Sequence, residues 1–195
     1  DNLFGLETLL RKLDLAEKVD THGPLEVVLS RPGFAITRPT EKWGQIHSKK
    51  SDDAAVDALQ TDLELLLVQV SRHAFIDVRE LPPIAFVTLQ QCQQEILDSF
   101  EEQHPRGLFD ADDGPHSRVQ RLDLGRALPA KDGMEGRETE LMMTRVGKPW
   151  HFIFRFYRRG DGPIYVVRAY APKRGFAAIQ GELRTALESF RILRR

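Results

Sequence analysis

Between residues 117 and 170, four stretches of alternating apolar and polar character are separated by clusters of turn residues, and no other feature of the chain constrains the fold as much. Residues 117–128, 134–146, 150–158 and 164–170 read as strands, with turns at residues 129–133, at Gly147-Lys148 and at residues 160–163. Connections this short join antiparallel neighbours, so the last third is an antiparallel meander. A closing helix over residues 173–190 places Phe176, Ile179, Leu183, Leu187 and Phe190 on one face, with Gly181 costing it about 1 kcal/mol relative to Ala.

The turns predict a register. A two-residue hairpin at Gly147-Lys148 and a four-residue loop at 160–163 set Leu141 opposite Phe154 and Ala169, Thr139 opposite Phe156 and Val167, and Met143 opposite Phe152. The three Phe then share one sheet face, each contributing roughly 1.5–3 kcal/mol on burial. On the opposite face this register brings Glu140 beside Arg155 and Arg168, with Glu138, Met142, Ile153, Tyr157 and Tyr170 around them. A cross-strand ladder of ion pairs is the plainer meaning of such a group, and is worth little where solvated. The functional meaning is a groove floor in which arginines hold an anionic group of a partner. Glu140, Arg155, Arg168, Tyr157 and Tyr170 are therefore the candidate binding face.

Upstream, Leu3, Leu6, Leu10 and Leu13 recur at helical spacing, widened by Leu9 and Leu15, and predict an amphipathic helix over residues 3–19 that stops at Gly23-Pro24. Two short strands follow, around Val27 and around Ile36. Residues 45–53 carry Lys49, Lys50, Asp52 and Asp53 and read as a solvated loop; residues 54–59 add a helical turn. Residues 63–70 and 74–78 form a hairpin through Ser71-Arg72, ended by Pro82-Pro83. Thr88 and Gln91 make a candidate capping box for a helix whose apolar face carries Leu89, Cys92, Ile96 and Phe100 and which His104-Pro105 stops.

Few chemistries are compatible with the residues present. With 28 basic and 29 acidic residues, the net charge of −1 gives no electrostatic reason to bind nucleic acid or an anionic membrane. No apolar run approaches the ~18 residues of a membrane span. The single Cys forms neither an intrachain disulfide nor a thiolate metal site, and Cys92 lies on an apolar stripe where a thiol is inert. None of the serines has the flanking glycines of a nucleophile elbow. The six histidines lack ligand spacing, a site of His116 with Asp112 or Asp113 is outweighed by loop solvation, and Arg121 stands where a calcium loop needs its bidentate Glu. Neither Gly147-Lys148 nor Gly160-Asp161-Gly162 forms a phosphate cradle. Arg158, Arg159, Lys173 and Arg174 are expected to gather near one end of the meander as a charged rim.

Three pieces, in order, resemble one family. They are Pro32-Gly33-Phe34-Ala35-Ile36-Thr37-Arg38-Pro39 followed by Trp43, the helix over residues 88–100, and the close on Leu187-Glu188-Ser189-Phe190-Arg191. Together with the meander they resemble the PsbP-like superfamily, which includes the Ran-binding Mog proteins and many bacterial lipoproteins and secreted proteins. The resemblance implies an α+β fold, an α/β/α sandwich around an antiparallel sheet, and members that bind or assist rather than catalyse. The charged insertion around residues 49–57 departs from it. Its motifs mark packing positions, so it transfers no functional residue, and no metal-binding position of the photosystem members is matched.

The expected organisation is an N-terminal helical extension over residues 1–22 and a PsbP-like domain over residues 23–195. Opening on Asp1 rather than Met, the chain is expected to follow a removed tag, propeptide, signal or upstream domain. The expected role is a non-catalytic binding or accessory module that needs no cofactor and engages a protein. The alternative is an enzyme or small-ligand binder with a site of dispersed residues, His151, Tyr157, Arg155, Arg168 and Glu140. A third reading, an assembly subunit, would use the leucine stripe of the first helix. The resemblance leans toward an extracytoplasmic setting, whereas the lack of disulfides fits the cytosol equally well.

Overall fold

The alternation in the last third does build one antiparallel sheet, and the rest of the chain is arranged around its two faces. A computed structural model describes residues 19–46, 64–81, 88–102, 118–145 and 148–193. In chain order the strands are β1 (Glu26–Leu29), β2 (Phe34–Thr37), β3 (Gly44–Ile46), β4 (Leu65–Gln69), β5 (Ala74–Leu81), β6 (Arg118–Arg121), β7 (Arg126–Lys131), β8 (Met134–Arg145), β9 (Lys148–Arg159), β10 (Ile164–Pro172) and β11 (Arg191–Ile192). The helices are α1 (Leu89–Glu102) and α2 (Lys173–Ser189). The large sheet runs β3-β4-β5-β10-β9-β8-β6, with β7 also paired to β8, and a small sheet runs β1-β2-β11.

Because side chains alternate across a strand, the large sheet carries two cores. One face packs Leu65, Leu67, Ile76, Ile153 and Val167 against α2 through Phe176, Ile179, Leu183 and Leu187, and takes Phe34 and Ile36 from the small sheet. The other packs Leu141, Phe152, Phe154, Phe156 and Val166 with Leu89, Cys92 and Leu97 of α1. The result is an α/β/α sandwich of the α+β class. Two of the three pieces that carried the family resemblance, the first and the last, meet in space. The Thr37 amide donates to Ser189 Oγ at 2.8 Å, Phe34 and Phe190 stack with centroids 5.5 Å apart, and β11 pairs with β2. Trp43 is fully buried and its indole N–H donates to Glu182 at 2.7 Å.

Local chemistry accounts for the element ends. The Gln91 amide donates to Thr88 Oγ1 at 3.0 Å, the first half of the predicted capping box. Asp132 and Gly133, with φ of 51° and 74°, close a two-residue hairpin between the paired Lys131 and Met134. Residues 70–72 form a 3-10 turn that His73 ends in the left-handed region, so the hairpin expected through Ser71-Arg72 has a loop of residues 70–73 between the paired Gln69 and Ala74.

Several expectations change. Gln45, expected in a loop, lies in β3, paired with Leu67, and Asp20 bridges to it; three residues are too short a stretch to show a period. The first strand of the meander is two strands. Between the pairs Arg121↔Leu141 and Arg126↔Glu138, residues 122–125 bulge out opposite only Thr139 and Glu140. The buried stripe of α1 runs through Leu89, Cys92, Gln93 and Leu97, with Ile96 only half-buried. The expected first helix, the turn at residues 54–59, and His116 with Asp112 and Asp113 lie outside the described residues.

Candidate binding groove

The register that was to unite the candidate face is different in both hairpins. β8 pairs with β9 as Glu138↔Arg155, Thr139↔Phe154 and Leu141↔Phe152, with Arg145↔Lys148 the pair nearest the turn. The connection is thus residues 146–147 rather than Gly147-Lys148, and the pairing moves by two residues. A shift of two preserves faces, so the three Phe stay together and Glu138, rather than Glu140, stands opposite Arg155. Between β9 and β10 the pairs are Arg158↔Ile164, Phe154↔Arg168 and Phe152↔Tyr170. The loop there holds five residues instead of four, and an odd change reverses every side chain of β10. Gly160, at φ 53°, and the Gly162 amide donating to the Arg159 carbonyl at 3.1 Å accommodate the extra residue.

The expected face therefore splits. Arg168 and Tyr170 lie on the side of the three Phe, opposite from Glu140, Arg155 and Tyr157. Arg168 makes a two-pronged ion pair with Asp77 of β5, Nε to Oδ1 at 2.8 Å and Nη2 to Oδ2 at 2.7 Å, with both residues buried. Burial also pushes the Tyr170 hydroxyl well above its ordinary value, helped by its bond to Asp77. This cluster is sealed inside the core. The four cations expected at one end separate as well. Arg158 pairs with Ile164, whereas Lys173 and Arg174 follow Pro172, which pairs with Trp150 at the far end of β10.

On the α2 side, one carboxylate organises the charges. Glu138, 1% exposed, accepts from Arg126 Nη2 and Arg155 Nε at 2.6 Å each and from Arg184 Nη1 at 3.3 Å. Burial opposes its ionisation, but the hydrogen bonds from Arg126 and Arg155 outweigh it and hold the carboxyl below the usual glutamate range. Glu140 joins Arg184 to His151, whose Nε2 lies 2.7 Å from its Oε2. The His151 contact does most to lower its pKa. His151 also stacks on Phe176 of α2, centroids 3.7 Å apart. Arg155 Nη1 donates to Tyr157 Oη at 3.2 Å, and Tyr157 donates in turn to the Leu187 carbonyl at 3.1 Å. Neighbouring hydrogen bonds thus fix every member of this network.

Arg155 and Tyr157 form part of the floor of an open groove of about 580 Å³ between β7 and the C-terminal end of α2. Its walls are Arg126 to Lys131 on one side and Glu188 and Phe190 on the other, with Met134 and Gly136 beneath. A side chain at Gly136 would come within 3.1 Å of Leu128 and 3.2 Å of Tyr157, so glycine there keeps the floor open. Of the five candidate residues only Arg155 and Tyr157 line the groove. Glu138, expected beside this face, holds Arg155 from beneath, whereas Arg126, Lys131 and Phe190 were missed. Their membership follows from β7 and the close of α2 meeting across β8, which spacing along the chain does not show.

Among the described residues no three His, Cys, Asp or Glu are placed to hold a metal ion. Burial pushes the Cys92 thiol up to about 12, far from a thiolate. No helix among the described residues is long and apolar enough to cross a membrane.

A three-layered α+β sandwich with a charged groove beside its closing helix defines a structural class, and the fold is that of the PsbP-like superfamily. It is similar to the cyanobacterial PsbP protein of Synechocystis sp. PCC 6803, with 10% identity over 88% of this chain and 95% of that one, at a TM-score of 0.59. It is also similar to LpqN, involved in cell envelope biogenesis of Mycobacterium tuberculosis, with 13% identity over 87% and 90% of the two chains and a TM-score of 0.52. The Saccharomyces cerevisiae Ran-binding protein Mog1p aligns over 86% of this chain and 94% of its own at 12% identity and a TM-score of 0.51. No protein-family model matches the chain, and no curated protein is found as a relative.

Proposed function

We propose that the chain is a non-catalytic binding module that engages a protein partner through the groove between β7 and α2. The observation that carries this reading is the groove's construction: an open channel with apolar walls over a floor whose charged side chains are already fixed by Glu138. Preorganised polar groups beside apolar contact area suit recognition, because little side-chain order remains to be lost on binding. One neighbour of this fold is described as Ran-binding, which supports a protein as the partner. LpqN's involvement in cell envelope biogenesis supports extending the proposal to an extracytoplasmic setting.

The test is affinity capture with crosslinking from the native host, followed by titration of the captured protein against wild type and Leu128→Trp. Leu128 is half-buried and pairs with Gly136 on the sheet face of Arg126 and Arg155, so an indole there extends into the groove. At least a tenfold loss of affinity is expected, and unchanged affinity refutes the reading. A second reading, a small organic ligand in the same groove, is favoured by its volume, which lies within the ~300–1,000 Å³ usual for such sites. A stoichiometric bound small-molecule mass in native mass spectrometry of the host-purified protein would establish it.

A further inference from the structure

Resting on that groove, we infer that its floor selects a carboxylate carried on an apolar, extended segment of the partner protein. The hydrogen-bond inventory points there. The Glu138 carboxylate is shared among three guanidinium groups, which takes three of its roughly four acceptor sites and leaves the three cations one carboxylate between them here. Arg155, 6% exposed and lining the groove, spends Nε on Glu138 and Nη1 on Tyr157, while its Nη2 makes no hydrogen bond among the described residues. The small exposed part of an otherwise buried guanidinium is thus a donor open to the groove, and the group that fills it best is a carboxylate. Among the described residues Arg126 bonds through Nη2 alone, and Lys131 engages only the Glu188 carbonyl, at 3.2 Å. Both stand at the rim with donors to spare, against the single wall carboxylate of Glu188.

The surroundings specify what bears the carboxylate. Leu128, Pro129, Met134 and Phe190 supply apolar surface beside Arg155. The wall β7 is six residues long, about 20 Å, and all but one of its residues are exposed, which matches an extended peptide rather than an enclosed small molecule. Just before Arg126 in the chain, the bulge exposes two further apolar side chains, Leu122 and Leu124, the latter 97% exposed. Asp123 Oδ1 holds the bulge by accepting from Thr139 Oγ1 and the Gly125 amide at 2.8 Å each, so Leu124 is presented by a tied loop. Pro129 and the register shift between Leu128 and Lys131 blunt β7 against strand addition. Recognition therefore runs through side chains.

The experiment uses the whole chain, labelled with nitrogen-15, and three probes: Ac-Ala-Leu-Glu-Leu-Ala-amide, the same peptide with Gln for Glu, and decanoate. The Glu peptide is expected to shift the Arg155 Nε and Gly136 amide signals, to bind about tenfold or more tightly than the Gln peptide, and to weaken with salt. The Arg126→Ala/Lys131→Ala pair, both at the rim, is expected to weaken it several-fold with the fold intact. Equal binding of Glu and Gln peptides, or no shift from either, overturns the inference. Shifts from decanoate with none from the peptides overturn it in favour of a lipid carboxylate. If the captured partner is lost on Leu128→Trp yet is indifferent to salt and to the rim pair, the groove stands as the site and the carboxylate inference alone fails.

Discussion

Removing the Asp77 carboxylate should be among the most damaging single changes in the protein, and the reason lies in the Arg168 pair. Asp77 is 0% and Arg168 7% exposed, and two hydrogen bonds of 2.8 and 2.7 Å join them across β5 and β10. Their mutual attraction does little more than offset the loss of hydration of two buried ions. Breaking the pair is another matter, because Asp77→Ala strands an always-charged guanidinium among Phe75, Phe154 and Val166. The cost of such an orphaned charge is about 3–5 kcal/mol, a large share of the ~5–15 kcal/mol by which domains are usually stable. With a urea slope of ~2 kcal/mol/M, the midpoint should fall by roughly 1.5–2.5 M. Replacing both partners, as Asp77→Leu with Arg168→Met, should recover most of the loss, and adding Tyr170→Phe should help further because Tyr170 also bonds to Asp77. Urea denaturation followed by tryptophan fluorescence, through Trp43 and Trp150, measures all four proteins. A loss under 1 kcal/mol for Asp77→Ala, or a double variant as unstable as the single, would refute the reasoning.

Three further outcomes follow from other contacts. Glu138 has a folded pKa below its unfolded one, so its contribution is present at neutral pH and is lost as pH falls through the folded value; Glu138→Gln should flatten the acid limb of a stability–pH curve, and a parallel limb would contradict this. Asp123→Ala frees Thr139 Oγ1 and the Gly125 amide and should cost about 1–2 kcal/mol, with faster amide exchange confined to residues 122–125. Phe154→Ala removes a fully buried ring between Phe152 and Phe156 and should cost ~3–5 kcal/mol by thermal denaturation; a cost near that of a surface change would contradict the two-core packing.

What could be read from the chain was what depends on local periodicity. Phe152, Phe154 and Phe156 share a face whichever hairpin register is chosen, because strand parity alone places them. The grouping of Arg155 with Arg168 depended on one loop being even, and a fifth residue between Arg158 and Ile164 sends Arg168 to Asp77 on the opposite side. Asp77 belongs to a hairpin some ninety residues upstream, so no pattern around Arg168 names its partner. The packing motifs fared better for a physical reason: Phe34, Trp43 and Phe190 are large enough that each must find a buried place, and those places prove adjacent or shared. β3 was invisible because three residues carry no period.

The groove itself follows from a mismatch of widths. A helix with its side chains is about 10 Å across and strands lie about 4.8 Å apart, so one helix covers roughly two strands. α2 lies over β9 and β10, and the small sheet extends the cover toward β4 and β5 through Phe34 and Ile36. Among the described residues the β8 and β7 end of the same face has the reach of Arg184 above it, and that side chain is drawn down to Glu138 and Glu140. A sheet face with no helix over it must be polar or be covered. Here β8 supplies Glu138 and Glu140 where an apolar residue would need a roof, and the arginines gather to neutralise them. The charged network is therefore how the fold finishes an uncovered sheet edge, and the groove is the space left over. Widening α2's cover, for instance with Arg184→Leu, should close no part of it. That variant instead removes a shared cation from both carboxylates, and it is expected to raise the pKa of Glu140, measurable by carbon-13 NMR titration; an unmoved Glu140 would show that its environment is set by His151 alone.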